Sequence, residues 1–138
     1  MKYTNVSDII TVYGATDGTS TTGTFTLHSK DFTNTPTYIQ LDKGVKFKIW
    51  SIRISGAPAT IRIEYTDDVT ASPPTWTTID SYHLPSSGSI TLEKRRPIII
   101  YGRTGNEAVR FVWDQTTTGA GVTEISVEIE IEPMTEAR

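Results

Sequence analysis

Hydrophobic and polar residues alternate with a period of two along most of this chain. The clearest instance is VTEISVEIEIEP, Val122 to Pro133, where Ile125, Val127, Ile129 and Ile131 fall between Glu124, Glu128, Glu130 and Glu132. Side chains on a strand point to opposite faces in turn, so this spacing predicts a strand with one apolar face and one carboxylate face. Similar patterns predict strands over 9–13, 24–28, 37–41, 45–54, 60–65, 75–80, 89–93, 98–103, 109–113 and 122–132. Thr, Ile, Val and aromatic residues dominate these segments and suit a pleated, half-buried surface. Between them lie Asp17-Gly18, Ser55-Gly56-Ala57-Pro58, Ser72-Pro73-Pro74, Pro85-Ser86-Ser87-Gly88, Gly105-Asn106 and Gly119-Ala120-Gly121. Glycine supplies positive φ at such turns, and proline presets them while refusing a ladder hydrogen bond.

One segment changes phase. Val45, Phe47 and Ile49 share one parity, whereas Trp50, Ile52 and Ile54 share the other. An inserted residue produces this shift, as does a strand passing from one sheet to another, so a bent strand is expected here. Trp50 is expected in the core with Ile52 and Ile54, and Trp113 with Val109 and Phe111.

Without helical periodicity or an internal repeat, about eight to ten short strands predict an all-β fold, an antiparallel two-sheet β-sandwich of the jelly-roll type; a small barrel is the other closure considered. The length of 138 residues fits a single domain over 1–138, with an N-terminal arm at 1–8 and a C-terminal tail at 134–138. Ala15 to Gly23 reads as a mobile loop.

Composition narrows the partners. The 36% apolar and 21% charged residues, with a mean hydropathy of -0.27, belong to a globular chain. No apolar run is long enough to cross a bilayer as a helix, so no membrane partner is expected. A net charge of -3 offers no concentrated positive face, so no nucleic-acid partner is expected. The absence of cysteine removes disulfides, thiolate catalysis and Cys-ligated zinc. MKYTNVSDIITVYG lacks the basic and apolar regions of a secretory signal, so export by that route is not expected unless a processed leader precedes it.

The carboxylate row invites a chemical reading. Alternate glutamates stand roughly 6.5–7 Å apart and can bracket a calcium ion, but calcium loops gather their oxygens from a turn, and no such run occurs here. A glycosidase needs two carboxyls facing across a cleft. The preferred reading is a solvated face that keeps a long Ile/Val strand from pairing with strangers. Its rival is a specific charged contact with Lys46, Lys48, Arg62 or Lys94-Arg95-Arg96, within one chain or between copies. Lys94-Arg95-Arg96 is itself expected to be a solvated turn before the apolar run to Tyr101.

Asp80-Ser81-Tyr82-His83 lacks a G-x-S-x-G elbow and reads as coincidence. His28 is the other histidine, so a His-based metal site would have to draw both from separate strands. The expectation is a non-enzyme with no catalytic residue, metal or cofactor.

The stretches IRIEYTDDVTASPPTWTTID, RPIIIYGRTG and AVRFVWDQTTTGAGVTEISVEIEI, between Ile61 and Ile131, resemble small β-sandwich structural proteins of tailed phages and related viruses. Asp67, Asp68 and Trp76 match their cadence, while Pro73-Pro74 lengthens a loop that is usually a tight turn. The resemblance implies a jelly-roll decoration or cementing subunit that stabilises the virion exterior and is assembled in the host cytoplasm. Its implied partners are capsid protein and copies of itself, as a homotrimer with terminal arms. Lys46, Lys48, Glu128, Glu130 and Trp76 are the expected subunit or capsid contacts. The alternative is a carbohydrate-binding or surface-adhesion module that stacks a glycan on Trp76 with Tyr65 or Tyr82.

Overall fold

The computed structural model describes residues 8–115 and 121–134, with backbone alone at 93–95. Its strands are β1 (Asp8–Ala15), β2 (Thr22–Thr24), β3 (Ile39–Gln40), β4 (Val45–Gly56), β5 (Ala59–Thr66), β6 (Thr77–Leu84), β7 (Gly88–Tyr101), β8 (Ala108–Asp114) and β9 (Thr123–Pro133). One sheet has the order β1-β9-β4-β7; the other has the order β2-β8-β5-β6, with β3 following β2 along the same edge of β8. All these pairings are antiparallel. From β6 onward the chain crosses between the sheets at every step, which is jelly-roll winding, and the fold is the expected two-sheet β-sandwich.

Alternation explains the core. Ile125, Val127, Ile129 and Ile131 of β9 face inward with Phe47, Ile49, Ile52 and Ile54 of β4, and meet Ile61, Ile63 and Phe111 of the second sheet. Each fully buried side chain of this kind contributes about 1.5–3 kcal/mol. Trp113 is also buried, under Gly23 and edge-on to Phe25 at 5.0 Å between centroids.

The phase change in β4 is a bulge. Both ladders that flank β4 shift register between Ile49 and Ser51, and against β9, where Ile49 pairs with Ile129 and Ser51 with Glu128, Trp50 is the extra residue. Ile49 and Ile52 therefore both point inward, and Trp50 is carried to the outer face, half-buried, where its indole donates to Glu130 at 2.9 Å. The expected core position of Trp50 is corrected accordingly.

Opposite this bulge, Ile98 pairs with Ile49 and Glu93 with Ser51, so residues 94–97 lie across from Trp50 alone. The two strands expected over 89–93 and 98–103 are thus one, and Lys94-Arg95-Arg96 lies inside β7 rather than in a turn. The strand expected at 75–80 runs over 77–84 instead, that at 37–41 shrinks to β3, and that at 24–28 gives way to β2, which reaches it only at Thr24. Phe25 and Leu27 still bury their side chains, and their N–H groups bond outside a ladder, to Phe111 O at 2.9 Å and Pro36 O at 2.7 Å.

Ala15 to Gly23 is organised by Asp17, whose carboxylate accepts from the N–H groups of Thr19 at 2.9 Å and Ser20 at 2.8 Å and from the Ser20 hydroxyl at 2.7 Å. Of the expected arm and tail, Asp8 opens β1 and Met134 donates its N–H to Gly44 O at 2.8 Å; residues 1–7 and 135–138 lie outside the described residues.

Buried polar groups tie both ends of the sandwich. At one end the Thr123 hydroxyl donates to Ala57 O at 2.7 Å and accepts from Gln115 Nε2 at 2.9 Å, while its N–H donates to Thr16 Oγ1 at 3.0 Å. At the other, the buried Glu107 carboxylate gathers the 103–105 turn through the N–H groups of Arg103 at 2.9 Å, Thr104 at 3.1 Å and Gly105 at 3.0 Å. Satisfied networks of this kind set one arrangement of the connecting turns. One lateral side is also tied, by reciprocal 2.8 Å backbone bonds between Tyr13 and His28. On the other side, β6 and β7 form no ladder with each other.

Candidate functional site

The carboxylate row does not guard an edge. β9 lies inside its sheet with β1 on one side and β4 on the other, so its backbone is already paired. On the outer face Lys46 lies opposite Glu132 and Lys48 opposite Glu130. Both ammonium groups turn to Glu132, at 3.3 Å from Lys46 and 2.5 Å from Lys48. Glu130 accepts from Trp50, and Glu128 accepts from Ser51 Oγ at 3.3 Å. The hydrogen bond to Glu132 raises the Lys48 pKa, with partial desolvation opposing it, and the same bond holds the Glu132 carboxyl below its ordinary range. Lys46, Lys48, Glu128 and Glu130 therefore share one face, with β9 laced to β4 by charge within the chain.

Apolar side chains flank this charged band. The register places Ile9, Glu130, Lys48 and Ile99 side by side across four strands. Ile9 is 65% exposed and Tyr13 53% on β1; Ile99 is 41% and Tyr101 40% on β7. Around the corner from β7, Ile79 of β6 is pushed outward by a register shift against β5, between Ile63 and Glu64. Tyr65, Ile79, Ile98, Ile99, Tyr101 and Arg103 line a groove of about 250 Å³ along this unpaired side, with the Arg103 guanidinium 5.1 Å from the Tyr101 ring centre.

Trp76 lies on the second sheet, apart from the other four expected contact residues. The Arg110 guanidinium sits 4.3 Å from its ring centre and bonds Glu64 at 2.8 Å, while Tyr38 stands 6.4 Å away between ring centroids. Neither Tyr65 nor Tyr82 forms the expected platform with it. Tyr65 belongs to the groove, and Tyr82 is buried in the core, with its hydroxyl donating to Asp80 at 2.7 Å. Burial and the Asp80 bond push the Tyr82 phenol well above its ordinary pKa.

The Asp80–His83 run is divided by the same pleat. Tyr82 points inward and its hydroxyl meets the Asp80 carboxylate, whereas His83 meets Thr60 Oγ1 at 3.0 Å on the outer face, so the aspartate and the histidine serve different partners. Among the described residues no group of three or more His, Cys, Asp or Glu side chains lies close enough to hold a metal ion.

Sequence reasoning missed Tyr38, Arg110, Glu107 and the exposed side of β7. The run Pro97-Ile98-Ile99-Ile100-Tyr101 held a signal: an apolar stretch without alternation on an edge strand must expose every second member. Glu107 gave none, because its partners are backbone N–H groups of the 103–105 turn together with the Thr104 hydroxyl.

No family model and no curated protein matches the chain. Among solved structures, a pilus structure of Bacillus endospore appendages is similar at 10% identity and a TM-score of 0.44, covering 98% of this chain and 97% of that one. The globular domain of zebrafish complement 1qA protein is similar at 13% identity and a TM-score of 0.46, covering 86% and 94%. The CBM22-1-GH10 modules of Clostridium thermocellum xylanase 10B, complexed with xylohexaose, are similar at 15% identity and a TM-score of 0.39, covering all of this chain and 30% of that one. None of these three is a phage decoration protein, and similarities this distant assign neither a family nor a function.

Proposed function

We propose that this chain is a structural subunit that acts by association, a jelly-roll decoration or cementing protein on the exterior of a virion. The observation that carries this reading is the exposure of large apolar side chains on both edges of one sheet, Ile9 and Tyr13 on β1 and Ile99 and Tyr101 on β7. Large apolar side chains exposed at both margins of one sheet are candidate contact points for a neighbour. The four strands alternate in direction, so β1 and β7 run antiparallel to each other. A neighbour in the same orientation presents its β7 side to this β1 side, and a rotation between copies that closes turns repetition of that contact into a ring. A homotrimer is the proposed ring. Lys46, Lys48, Glu128 and Glu130 lie between the two apolar margins and keep the register of the face that meets capsid protein.

The proposed mechanism is mass action: a subunit that binds only the assembled shell stabilises it in proportion to ligation, without any catalytic step. The viral assignment draws on the sequence cadence from Ile61 to Ile131. The arm expected at 1–8 is the proposed anchor, with Asp8 itself opening β1. Light scattering tests association: the parent protein should run as a trimer, and Ile9→Asp with Ile99→Asp as a monomer. Immunogold labelling tests location, because antibody to this protein should decorate intact particles purified from the source. A parent protein that stays monomeric at all concentrations overturns the association, and unlabelled particles overturn the virion assignment.

A further inference from the structure

The segment DFTNTPTYIQ, Asp31 to Gln40, belongs neither to the charged face nor to the edges proposed for association. It curls around an open cavity of about 800 Å³ lined by Asp31, Asn34, Thr35, Thr37, Tyr38 and Gln40, among others. Backbone and side-chain bonds fix its far end: Leu27 N–H donates to Pro36 O at 2.7 Å, and Gln40 Nε2 donates to Gly105 O at 2.7 Å. Asn34, Thr35 and Thr37 are exposed, and their side chains bond to no other described residue. Tyr38 is 36% exposed at the rim. Beside it, Trp76 is held by Arg110, whose charge is matched by Glu64.

We propose that this cavity binds a neutral saccharide chain, stacked on Tyr38 and hydrogen-bonded by Asn34, Thr35 and Thr37. Its volume lies within the roughly 300–1,000 Å³ of small-molecule sites. The lining selects the class of ligand. A sugar ring has an apolar C–H face, which an aromatic ring covers, and a hydroxyl rim, which amide and hydroxyl side chains satisfy. No lysine or arginine belongs to the lining, and Asp31 is its one carboxylate, so phosphorylated and sulfated ligands meet repulsion without compensation. A lipid chain leaves the amide and hydroxyls without hydrogen-bond partners, at a cost for each. The site uses neither apolar edge, so it stands or falls independently of the association proposed above.

Two-dimensional amide NMR of the intact protein, titrated with cellohexaose, mannohexaose or β-1,4-galactohexaose to about 10 mM, reads binding and location together in a range that detects millimolar affinity. At least one saccharide should shift the amides of 31–40 and the Trp76 indole. Tyr38→Ala and Asn34→Ala should each weaken that binding at least ten-fold, while Arg53→Ala on the opposite sheet leaves it unchanged. The parent titration decides the matter even where a variant fails to fold. Absence of shifts with all three sugars, shifts confined to other regions, affinity unaltered in both folded variants, or tighter binding of a heparin hexasaccharide overturns the proposal.

Discussion

Replacing Glu107 with glutamine changes the group at the centre of the 103–105 turn by one atom. Both carboxylate oxygens are engaged. Oε2 accepts from Arg103 and Thr104 N–H groups, and Oε1 from Gly105 N–H at 3.0 Å and the Thr104 hydroxyl at 3.1 Å. In Glu107→Gln one oxygen becomes an NH₂ group that faces backbone donors, so either flip of the amide breaks contacts and sets donor against donor. A hydrogen bond to a charged acceptor contributes about 1.5–3 kcal/mol, and part of the loss is regained from water at the rim, so the expected destabilisation is about 2–4 kcal/mol. For a domain of this size that corresponds to a melting temperature lower by roughly 10 °C.

The pH dependence gives this prediction a second arm. Burial raises the Glu107 pKa, but the backbone N–H groups around the carboxylate outweigh it and hold the group below its ordinary range. A depressed folded-state pKa contributes stability that is present above the unfolded value, near about 4.3, and is lost as pH falls through the folded value. Urea unfolding followed by tryptophan fluorescence should therefore show the full gap between parent and variant at neutral pH and a smaller one in acid, with m unchanged. A gap under about 0.5 kcal/mol at neutral pH, smaller than the contribution of a single ordinary hydrogen bond, refutes the assignment, as does a gap that persists undiminished in acid.

Three further outcomes are expected. Gly56 has φ of +104°, and a Cβ added there meets Val122 O, so Gly56→Ala should lower unfolding stability by about 2 kcal/mol or more in a denaturant titration. The Asp17 carboxyl is held at about 2 by the Ser20 N–H and hydroxyl and by the Thr19 N–H; a side-chain NMR titration should find that midpoint, with the turn's stabilisation intact above the ordinary aspartate range and lost as pH falls toward about 2. Trp50→Phe removes the indole bond to Glu130 and should cost about 1 kcal/mol, measured by urea unfolding; a loss as large as that of a core truncation would return Trp50 to the interior.

The fold was legible because its code is local. Ile125, Val127, Ile129 and Ile131 announce an inward face from their spacing alone, and the phase break after Ile49 announces the bulge, because one extra residue inverts every side chain beyond it. Strand ends were less legible. Phe25 and Leu27 follow the strand period and bury their side chains, but their N–H groups find Phe111 and Pro36 instead of a ladder, and periodicity does not distinguish these cases. The phase rule also misplaced Trp50. Two parities meet at a bulge, and only the ladder partners decide which residue is the extra one.

Sites were less legible than faces because a site depends on which strands become neighbours. The glutamates of β9 have the pattern of a guarded edge, yet β1, from the other end of the chain, pairs along β9 and puts it in the interior of the sheet. That placement changes what the carboxylates do: with β4 alongside, Glu132 and Glu130 hold Lys46, Lys48 and Trp50, and exposed apolar surface moves outward to Ile9 and Ile99 at the margins. Trp76 follows the same logic. Its partners were sought on the adjacent strands, in Tyr65 and Tyr82, but β5–β6 pairing turns Tyr82 into the core, while Arg110 and Tyr38 arrive at Trp76 from β8 and the segment leading into β3. Alternation specifies which way a side chain points. What it points at depends on non-local pairing, and here that pairing separates the exposed apolar margins of one sheet from the cavity lined by residues 31–40 beside the other.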